Sequence, residues 1–171
     1  MLLNIIQNFD VKEGFKGHRS LIESLKFRLP LNFLMVELTP REAEYLRFLY
    51  EESIEKASKV TSVSMAKRLH VKPPTAVDMI ANLSEKGLVN HMKRRGITLT
   101  EEGLKAASTI VRRHRIYEKY LESVFEIPPE EACREAAKID HALSGRIAEA
   151  MYLKLGCPGS CPHEKPIPSP A

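Results

Sequence analysis

One order of elements constrains this chain more than any other feature: a short helix, a turn, a second helix and a two-stranded hairpin, all between residues 64 and 99. Ser64 is a good N-cap for the first helix. Pro73 and Pro74 open the second helix, because the first helical turn leaves its N–H groups unpaired in any case. Gly87 ends that helix, and two short strands follow. This pattern predicts a winged helix-turn-helix, so nucleic-acid binding is the first hypothesis.

Positive charge is concentrated in the same part of the chain. Between Lys59 and Arg115, twelve Lys or Arg residues stand against four Asp or Glu, whereas the whole chain has a formal net charge of only +4. A basic stretch that coincides with such a motif is the electrostatic pattern expected where DNA phosphates are neutralised. A solvated basic face is the alternative, and the coincidence with the motif favours DNA binding.

Helical spacing divides the second helix into two faces. Ala76, Met79, Ile80 and Leu83 recur at the intervals of a core-facing side, which leaves the opposite side for DNA. Basic residues at the tip of the hairpin are expected to contact phosphates. The candidate DNA-binding residues are Ser64, Lys72, Pro74, Thr75, Asp78, Asn82, Lys93, Arg94 and Arg95.

Composition indicates a mostly α-helical protein with one or two small domains. The 171 residues are 43% hydrophobic and include no Trp. No apolar run is long enough to span a membrane, and the N-terminus lacks the features of a signal peptide, which predicts a cytoplasmic protein. An enzyme is poorly supported, because the chain has no glycine-rich phosphate loop, nucleophile elbow or His-Glu-x-x-His pair.

The chain divides into four predicted segments, of which the first has two interpretations. Either Met35 is the true initiator and the preceding residues are an upstream misreading, or they form a genuine additional arm. The segments are an N-terminal extension (1–38), the winged helix-turn-helix domain (39–100), a helical domain (101–155) and a proline-rich tail (156–171).

Side chains suited to metal binding recur on two predicted helices. His114 and Glu118 are four residues apart and therefore share one face of a helix. Cys133, Asp140 and His141 fall in a single stripe of the next helix. Imidazole, carboxylate and thiol groups are common ligands of divalent transition metals. Ion pairs and partly buried histidines explain the same pattern, and the spacing leaves both interpretations open.

From Thr39 to Pro168 the chain resembles the diphtheria toxin repressor and manganese transport regulator family (DtxR/MntR) of metal-activated transcriptional repressors. Four stretches carry the resemblance: Glu44-Tyr-Leu-Arg-Phe-Leu-Tyr50; Pro73-Pro-Thr75 through Glu85-Lys-Gly-Leu-Val89; Arg113-His-Arg-Ile-Tyr-Glu-Lys-Tyr-Leu121; and Ile139-Asp-His-Ala-Leu-Ser144, followed by Cys161-Pro-His163 and Pro166-Ile-Pro168. The resemblance implies a winged helix-turn-helix domain followed by a helical metal-binding and dimerisation domain. Longer members end in an SH3-like domain, which is not expected here.

The resemblance also implies two metal clusters and a mode of action. It places one cluster at His114, Glu118 and Cys133 and a second, activating cluster at Glu44, Asp140 and His141. Oxygen and nitrogen ligands without a thiol in the activating cluster favour Mn²⁺ or Fe²⁺. The expected partner is a pseudo-palindromic double-stranded DNA operator, bound by a homodimer and without a membrane. Apolar surface for the dimer is expected from Leu121, Val124, Ile139, Leu143 and Ile147.

Four positions depart from the family pattern, among them Cys133, where members more commonly have His, and Asp140, where they more commonly have the longer Glu. Ala137 stands where members have Cys or Glu, which leaves the activating cluster weakened, rebuilt from His114 and Glu44, or lost. Lys72 replaces a Ser cap and adds a cation close to a phosphate. The alternative function is therefore a winged-helix regulator that no longer responds to metal, or one that senses redox through its cysteines.

Three potential zinc ligands lie close together in the tail. Cys157, Cys161 and His163 form a Cys-x₃-Cys-x-His pattern, which lacks a fourth ligand nearby and is not a standard zinc motif. Because Cys-Pro-His belongs to the ordinary tail of the family, the sequence favours a structural role for these residues.

Overall fold

The computed structural model describes residues 37–92 and 96–170. Both interpretations of the N-terminal extension, and the DNA-contact predictions for Lys93, Arg94 and Arg95, fall outside these ranges. The elements in chain order are α1 (Pro40–Tyr50), a π-helical turn (Glu51–Glu55), α2 (Ser62–Arg68), α3 (Pro73–Glu85), β1 (Val89–Met92), β2 (Gly96–Leu99), α4 (Glu101–Phe125), α5 (Pro129–Ile139) and α6 (Gly145–Lys154). The predicted mostly α-helical fold is confirmed. None of the helices in these ranges is long and apolar enough to cross a lipid bilayer.

Helix α1 begins at a capping box, as the sequence predicts. The Thr39 hydroxyl accepts a hydrogen bond from the Glu42 N–H, and the Glu42 carboxylate accepts one from the Thr39 N–H. The buried Glu42 also forms an ion pair with Lys86 at 2.6 Å. Burial opposes ionisation of Glu42, but the bonds from Lys86 and Thr39 outweigh it and lower the pKa of this carboxyl. Glu42 therefore ties the start of α1 to the end of α3.

Helix α2 begins earlier than the sequence suggests, and the prediction that Ser64 is its N-cap is wrong. Thr61 is the N-cap, and its hydroxyl accepts a hydrogen bond from the Ser64 N–H at 3.1 Å. The Ser64 hydroxyl in turn accepts one from the Thr61 N–H at 2.9 Å. Serine here takes the position that Glu or Gln usually fills in a capping box, so the pattern gives a weak signal in the sequence.

Helix α3 begins at Pro73, as predicted, with Lys72 at an N-cap position that makes no side-chain hydrogen bond. Its Ala76, Ile80 and Leu83 are buried, which confirms the predicted core-facing side. Lys72 is therefore an exposed cation at the start of α3, the helix that the winged helix-turn-helix motif is expected to place against DNA.

The hairpin that follows α3 is antiparallel, with Val89 opposite Leu99. Gly96 has a φ of +85°, and a Cβ at this position would lie 2.4 Å from the carbonyl oxygen of Val60. Only glycine fits such a close approach in this backbone region. The next residue, Ile97, bridges to Val60 and joins the hairpin to the segment before α2.

Helix α4 connects two hydrophobic cores. Thr100 caps it by accepting a hydrogen bond from the Gly103 N–H at 2.9 Å. Ala107 and Ile110 in its first half pack into the larger core, formed with α1, α2, α3 and the hairpin. Ile116 in its second half packs into a smaller core with residues of α6 and the tail. One helix therefore carries residues of both the DNA-binding motif and the candidate metal-binding region.

Helix α5 ends at Ile139 and therefore does not include Asp140 and His141, which the sequence predicts on the same helix as Cys133. The N–H groups of Ala142 and Leu143 both bond back to the Ile139 carbonyl, which closes the helix in a tight turn. Helix α6 then starts independently after Ser144.

The tail returns to α4 and is held there by two arginines. The Arg115 guanidinium donates to the carbonyl of Pro166 at 2.5 Å, and the Arg112 guanidinium donates to the carbonyl of Pro168 at 2.6 Å. Both arginines are buried. These bonds bring the tail residues that precede Pro166 close to the middle of α4.

The close approach of α4 to the residue before β1 gives a stability prediction. A Cβ added at Gly103 would lie 1.8 Å from the carbonyl oxygen of Leu88, a backbone atom that cannot rotate away. We expect Gly103→Ala to lower the free energy of unfolding by about 3 kcal/mol, at the upper end of overpacking effects, in urea denaturation. Gly145→Ala is the control, because its Cβ would meet only the Arg113 guanidinium at 3.8 Å. An equal loss in both variants would contradict the predicted clash.

Candidate metal centre

Helices α4 and α5 bring three of the predicted ligands together. His114 and Glu118 lie one turn apart on α4, and Cys133 lies on α5. The His114 Nε2 atom lies 3.8 Å from Glu118 Oε2 and 3.5 Å from Cys133 Sγ. The ligand atoms of the three residues lie within 4.8 Å of one another. This compact set of nitrogen, oxygen and sulfur donors suits a divalent transition metal.

Asp140 orients the imidazole of this cluster. The His114 Nδ1 atom lies 3.1 Å from Asp140 Oδ2. In the tautomer that satisfies this contact, Nδ1–H donates to the carboxylate and Nε2 keeps its lone pair, which faces Glu118 and Cys133. A carboxylate behind a histidine ring is the usual arrangement for holding a metal ligand in place.

Asp140 is itself paired with Arg47 of α1. The Arg47 guanidinium donates to Asp140 Oδ2 and lies 3.3 Å from His114 Nδ1. Asp140 is only 1% exposed, so its charge requires a cation close by. No pattern in the sequence indicates this role for Arg47, because an arginine in an amphipathic helix is usually solvated.

The other oxygen of Asp140 faces His141. Asp140 Oδ1 and His141 Nδ1 lie 3.9 Å apart, both atoms are buried, and neither has a hydrogen-bond partner within the described ranges. Buried polar atoms in native proteins are nearly always satisfied. Two adjacent atoms with free lone pairs are the donor chemistry that suits a bound cation.

Glu44 does not join this pair in the structure. Its carboxylate is bound by Arg41 at 2.5 Å, and its side chain is 34% exposed. In the part of the chain that is described, the sets of three donors within 4.8 Å are His114–Glu118–Cys133 and Glu118–Cys161–His163. The activating cluster implied by the resemblance is thus not assembled, because Arg47 and not Glu44 extends from α1 to Asp140.

The tail brings two further donors to Glu118. The His163 Nδ1 atom pairs with Glu118 Oε1, and the ligand atoms of Glu118, His163 and the buried Cys161 lie within 4.8 Å of one another. Cys157 is exposed and does not take part. The Cys-Pro-His motif marked the tail as chemically unusual, but no sequence signal connected it with α4.

Both thiols near Glu118 are poorly suited to redox sensing. Burial and the negative charge of Glu118 raise the pKa of Cys133 and the pKa of Cys161. Because the thiolate is the reactive species, a raised pKa lowers the reactivity of both residues towards oxidants.

The DNA-contact residues predicted on α2 and α3 lie on the surface of the helix-turn-helix. Ser64, Lys72, Pro74, Thr75 and Asp78 are exposed. Asn82 is exposed as well, but its amide nitrogen donates to Glu42 Oε1 at 3.2 Å, which uses part of its hydrogen-bonding capacity.

An apolar surface remains exposed around the end of α4. Val124 is 45% exposed, Phe125 61% and Ile147 51%. Leu121 and Leu143 were also expected on such a surface, but both are buried, and Leu143 packs in the smaller core. Of the predicted apolar residues, Val124 and Ile147 therefore remain exposed, and Phe125 adds a third exposed side chain.

Comparison with known proteins assigns a family to both parts of the chain. The model of the iron dependent repressor N-terminal DNA binding domain matches residues 37–97. The model of the iron dependent repressor metal binding and dimerisation domain matches residues 100–169.

Individual relatives agree with this assignment. An uncharacterised HTH-type transcriptional regulator of Methanocaldococcus jannaschii is 32% identical over 110 residues, which cover 64% of this chain and 88% of that protein. The iron-dependent repressor IdeR of Mycobacterium tuberculosis is 30% identical over 134 residues, which cover 78% of this chain but only 58% of IdeR. The structure of the manganese regulator SloR matches with a TM-score of 0.70 at 30% identity, covering 77% of this chain and 61% of that one. The chain belongs to the iron-dependent repressor family, which confirms its resemblance to DtxR/MntR proteins.

Proposed function

We propose that this protein is a metal-responsive transcriptional repressor that controls metal-ion homeostasis. It binds a pseudo-palindromic operator in double-stranded DNA as a homodimer, with Mn²⁺ or Fe²⁺ as co-repressor. Its place of action is the cytoplasm, where an operator is accessible. The relatives described above are regulators and repressors, and no catalytic role is proposed here.

The observation that carries this proposal is the unsatisfied pair of Asp140 Oδ1 and His141 Nδ1 next to the Arg47–Asp140 ion pair. This pair lies at the contact between α1, within the DNA-binding match, and α5, within the dimerisation match. A metal ion held by Asp140 and His141 would give both atoms the partner that they lack. Metal binding at this position therefore acts on the contact that sets the angle between the DNA-binding part and the dimerisation part of the chain.

Arg47 competes with the co-repressor for Asp140. Its guanidinium neutralises the buried carboxylate and links α1 to α5 through the protein alone. The metal response then depends on how readily a metal ion replaces the Arg47 guanidinium at Asp140. In a symmetric dimer, the angle between the two parts sets the distance between recognition helices, which must match successive major grooves about 34 Å apart.

The identity of the ion follows from the ligand atoms. Asp140 and His141 offer oxygen and nitrogen, and Glu44, which the resemblance adds, offers oxygen. Such ligands suit Mn²⁺ and Fe²⁺ better than soft ions that require thiolate. Two relatives named for these metals, the iron-dependent repressor IdeR and the manganese regulator SloR, support the same choice. We assign His114, Glu118 and Cys133 to an ancillary site beside the activating one.

We expect His141→Ala to abolish metal-stimulated operator binding, since it removes a ligand whose Nδ1 atom has no hydrogen-bond partner among the described residues. Fluorescence anisotropy with labelled operator DNA would measure binding in EDTA and after addition of Mn²⁺ or Fe²⁺. Glu131→Ala on α5 is the control, because this exposed carboxylate lies outside both donor sets and outside the helix-turn-helix. Ala137→Glu should increase metal affinity by restoring a ligand on α5. Unchanged operator affinity of the parent chain in EDTA would refute the metal-responsive function.

Arg47→Gln tests the competition directly. Removing one partner of a buried ion pair destabilises a protein by about 3–5 kcal/mol, so the metal-free variant should melt at a lower temperature. Metal binding should replace the missing charge, and the rise in Tm on addition of Mn²⁺ should exceed that of the parent chain. Lys105→Gln is the control for the loss of an ion pair, because its partner Glu101 is exposed and lies outside both donor sets. A smaller rise in Arg47→Gln would show that Arg47 assists metal binding instead.

For the DNA surface, Lys72→Ala should weaken binding to all sequences and reduce the salt dependence of log K by about one. Thr75→Ala should instead change the preference among related operators. Titrations at several salt concentrations measure both effects. Lys138→Ala on α5 serves as a control for the loss of an exposed charge, because Lys138 lies outside the helix-turn-helix. If Lys138→Ala reduced the salt slope as much as Lys72→Ala, the proposed orientation on DNA would be wrong.

A further inference from the structure

We propose that Val77 and Asp78 of α3 determine which base pairs this protein prefers. The Val77 side chain contacts the C5-methyl group of a thymine, and the Asp78 carboxylate accepts a hydrogen bond from the N4 amino group of a cytosine. This inference rests on the proposed DNA-binding function and adds the chemistry of the sequence that α3 recognises. It predicts a thymine and a cytosine close together in each half of the operator.

Helix α3 carries no positive charge of its own. The sequence from Pro73 to Glu85 contains no Lys or Arg, and Lys86, which follows it, forms an ion pair with the buried Glu42 at 2.6 Å. The commonest specific base contact, from Arg or Lys to guanine, is therefore not available along this helix. Recognition by α3 has to use other groups, namely apolar side chains, hydroxyls, amides or carboxylates.

Both proposed residues lie outside the buried side of α3. Ala76 and Ile80 are buried, whereas Val77 is 48% exposed and Asp78 is exposed. Both stand in the first half of a helix of 13 residues. The N-terminal half of a recognition helix is the part that contacts base edges in the major groove. The match of residues 37–97 to a DNA binding domain supports this placement of α3.

Helix stability does not explain either side chain. Valine and aspartate are both poorer helix formers than alanine, lysine or glutamate. Asp78 stands beyond the first helical turn, where the helix dipole would favour a carboxylate, and it forms no ion pair among the described residues. A single exposed valine is ordinary on a protein surface. An exposed valine next to an unpaired carboxylate on the DNA-facing helix is better explained by base recognition.

The negative charge of Asp78 restricts the sequences that α3 can bind. Phosphates repel a carboxylate in the major groove, so a base must donate a hydrogen bond to offset this repulsion. Cytosine presents only the N4 donor there, whereas adenine presents the N6 donor next to the N7 acceptor, whose lone pair repels a carboxylate. Asp78 therefore favours cytosine and acts against other bases at the same position.

Asn82 is less suited to this role than Val77 and Asp78. Its amide nitrogen donates to Glu42 Oε1 at 3.2 Å. The usual contact of asparagine with adenine requires the nitrogen and the oxygen of the amide together. The bond to Glu42 holds the Asn82 amide towards α1, so the exposed side chains of Val77 and Asp78 are the stronger candidates.

The first experiment selects binding sites from double-stranded DNA with a randomised segment, using the full-length chain with Mn²⁺ and, separately, in EDTA. Val77→Ala should lose the preference for thymine, and Asp78→Asn the preference for cytosine, each by at least about fivefold, the lower limit for one base pair in a site. Ile54→Ala, at a residue that is 49% exposed in the π-helical turn, and Glu131→Gln on α5 are the matched controls. Both should select the sequences of the parent chain.

The second experiment removes only the methyl group from the DNA. Deoxyuridine in place of thymidine in a selected site keeps every hydrogen-bonding group of the base pair. The affinity of the parent chain should fall by about fourfold, as expected for the burial of one methyl-sized group, and that of Val77→Ala should stay nearly constant. An equal loss in both proteins would overturn the assignment of Val77. A cytosine preference that persists in Asp78→Asn would overturn the assignment of Asp78.

These outcomes separate the base assignments from the proposed function. Selection of the same sequences in EDTA and in Mn²⁺, with the expected changes in the two α3 variants, would refute the metal response and support the base assignments. Unchanged sequences in both variants, with a normal response to Mn²⁺, would refute the base assignments alone. Failure of the parent chain to select any sequence under either condition would refute both.

Discussion

Asp140 is a buried carboxylate and therefore requires a cation, and it lies where α1, α4 and α5 meet. Its Oδ2 atom receives the Arg47 guanidinium and the His114 ring, and its Oδ1 atom remains unsatisfied beside His141. One side chain thereby links the DNA-binding segment to α5, sets the tautomer of a candidate metal ligand, and retains capacity for a metal. Because the Asp140 carboxylate is desolvated, leaving it without a cation is costly. Replacing Arg47 by another cation would therefore affect the contact between α1 and α5.

The same principle recurs at two other carboxylates. Glu42 at the start of α1 contacts Asn82 of α3 and also Lys86, which lies at the C-terminal end of α3. Glu118 connects α4 to α5 through His114 and Cys133, and to the tail through Cys161 and His163. Each of these acids is almost completely buried and lies between elements that are distant in sequence. Three buried acids thus link elements that are distant in sequence, while the apolar cores supply most of the stability.

The ligands of this chain are distributed differently from those implied by its family resemblance. Ala137 provides no ligand on α5, and Glu44 is bound to Arg41 at the surface. One sulfur donor occurs at Cys133, where the resemblance places a ligand, and another at Cys161; each shares a donor set with Glu118. Ligand softness separates the two regions chemically: the Asp140–His141 pair suits Mn²⁺ or Fe²⁺, and the thiol-containing sets suit softer ions. Such a difference would allow neighbouring metal positions to respond to different ions.

The sequence alone determined what depends on neighbours within one or two helical turns. The capping box at Thr39, the start of α3 at Pro73 and the shared face of His114 and Glu118 are all local consequences of backbone hydrogen bonding and helical spacing. The family resemblance also predicted the ligand set His114–Glu118–Cys133, whose atoms the fold brings together. Only the tertiary structure decided that Arg47 rather than Glu44 faces Asp140, and that the tail reaches Glu118. These choices depend on how helices pack and on which cation a buried carboxylate obtains, and neither is encoded in the spacing of residues along one helix.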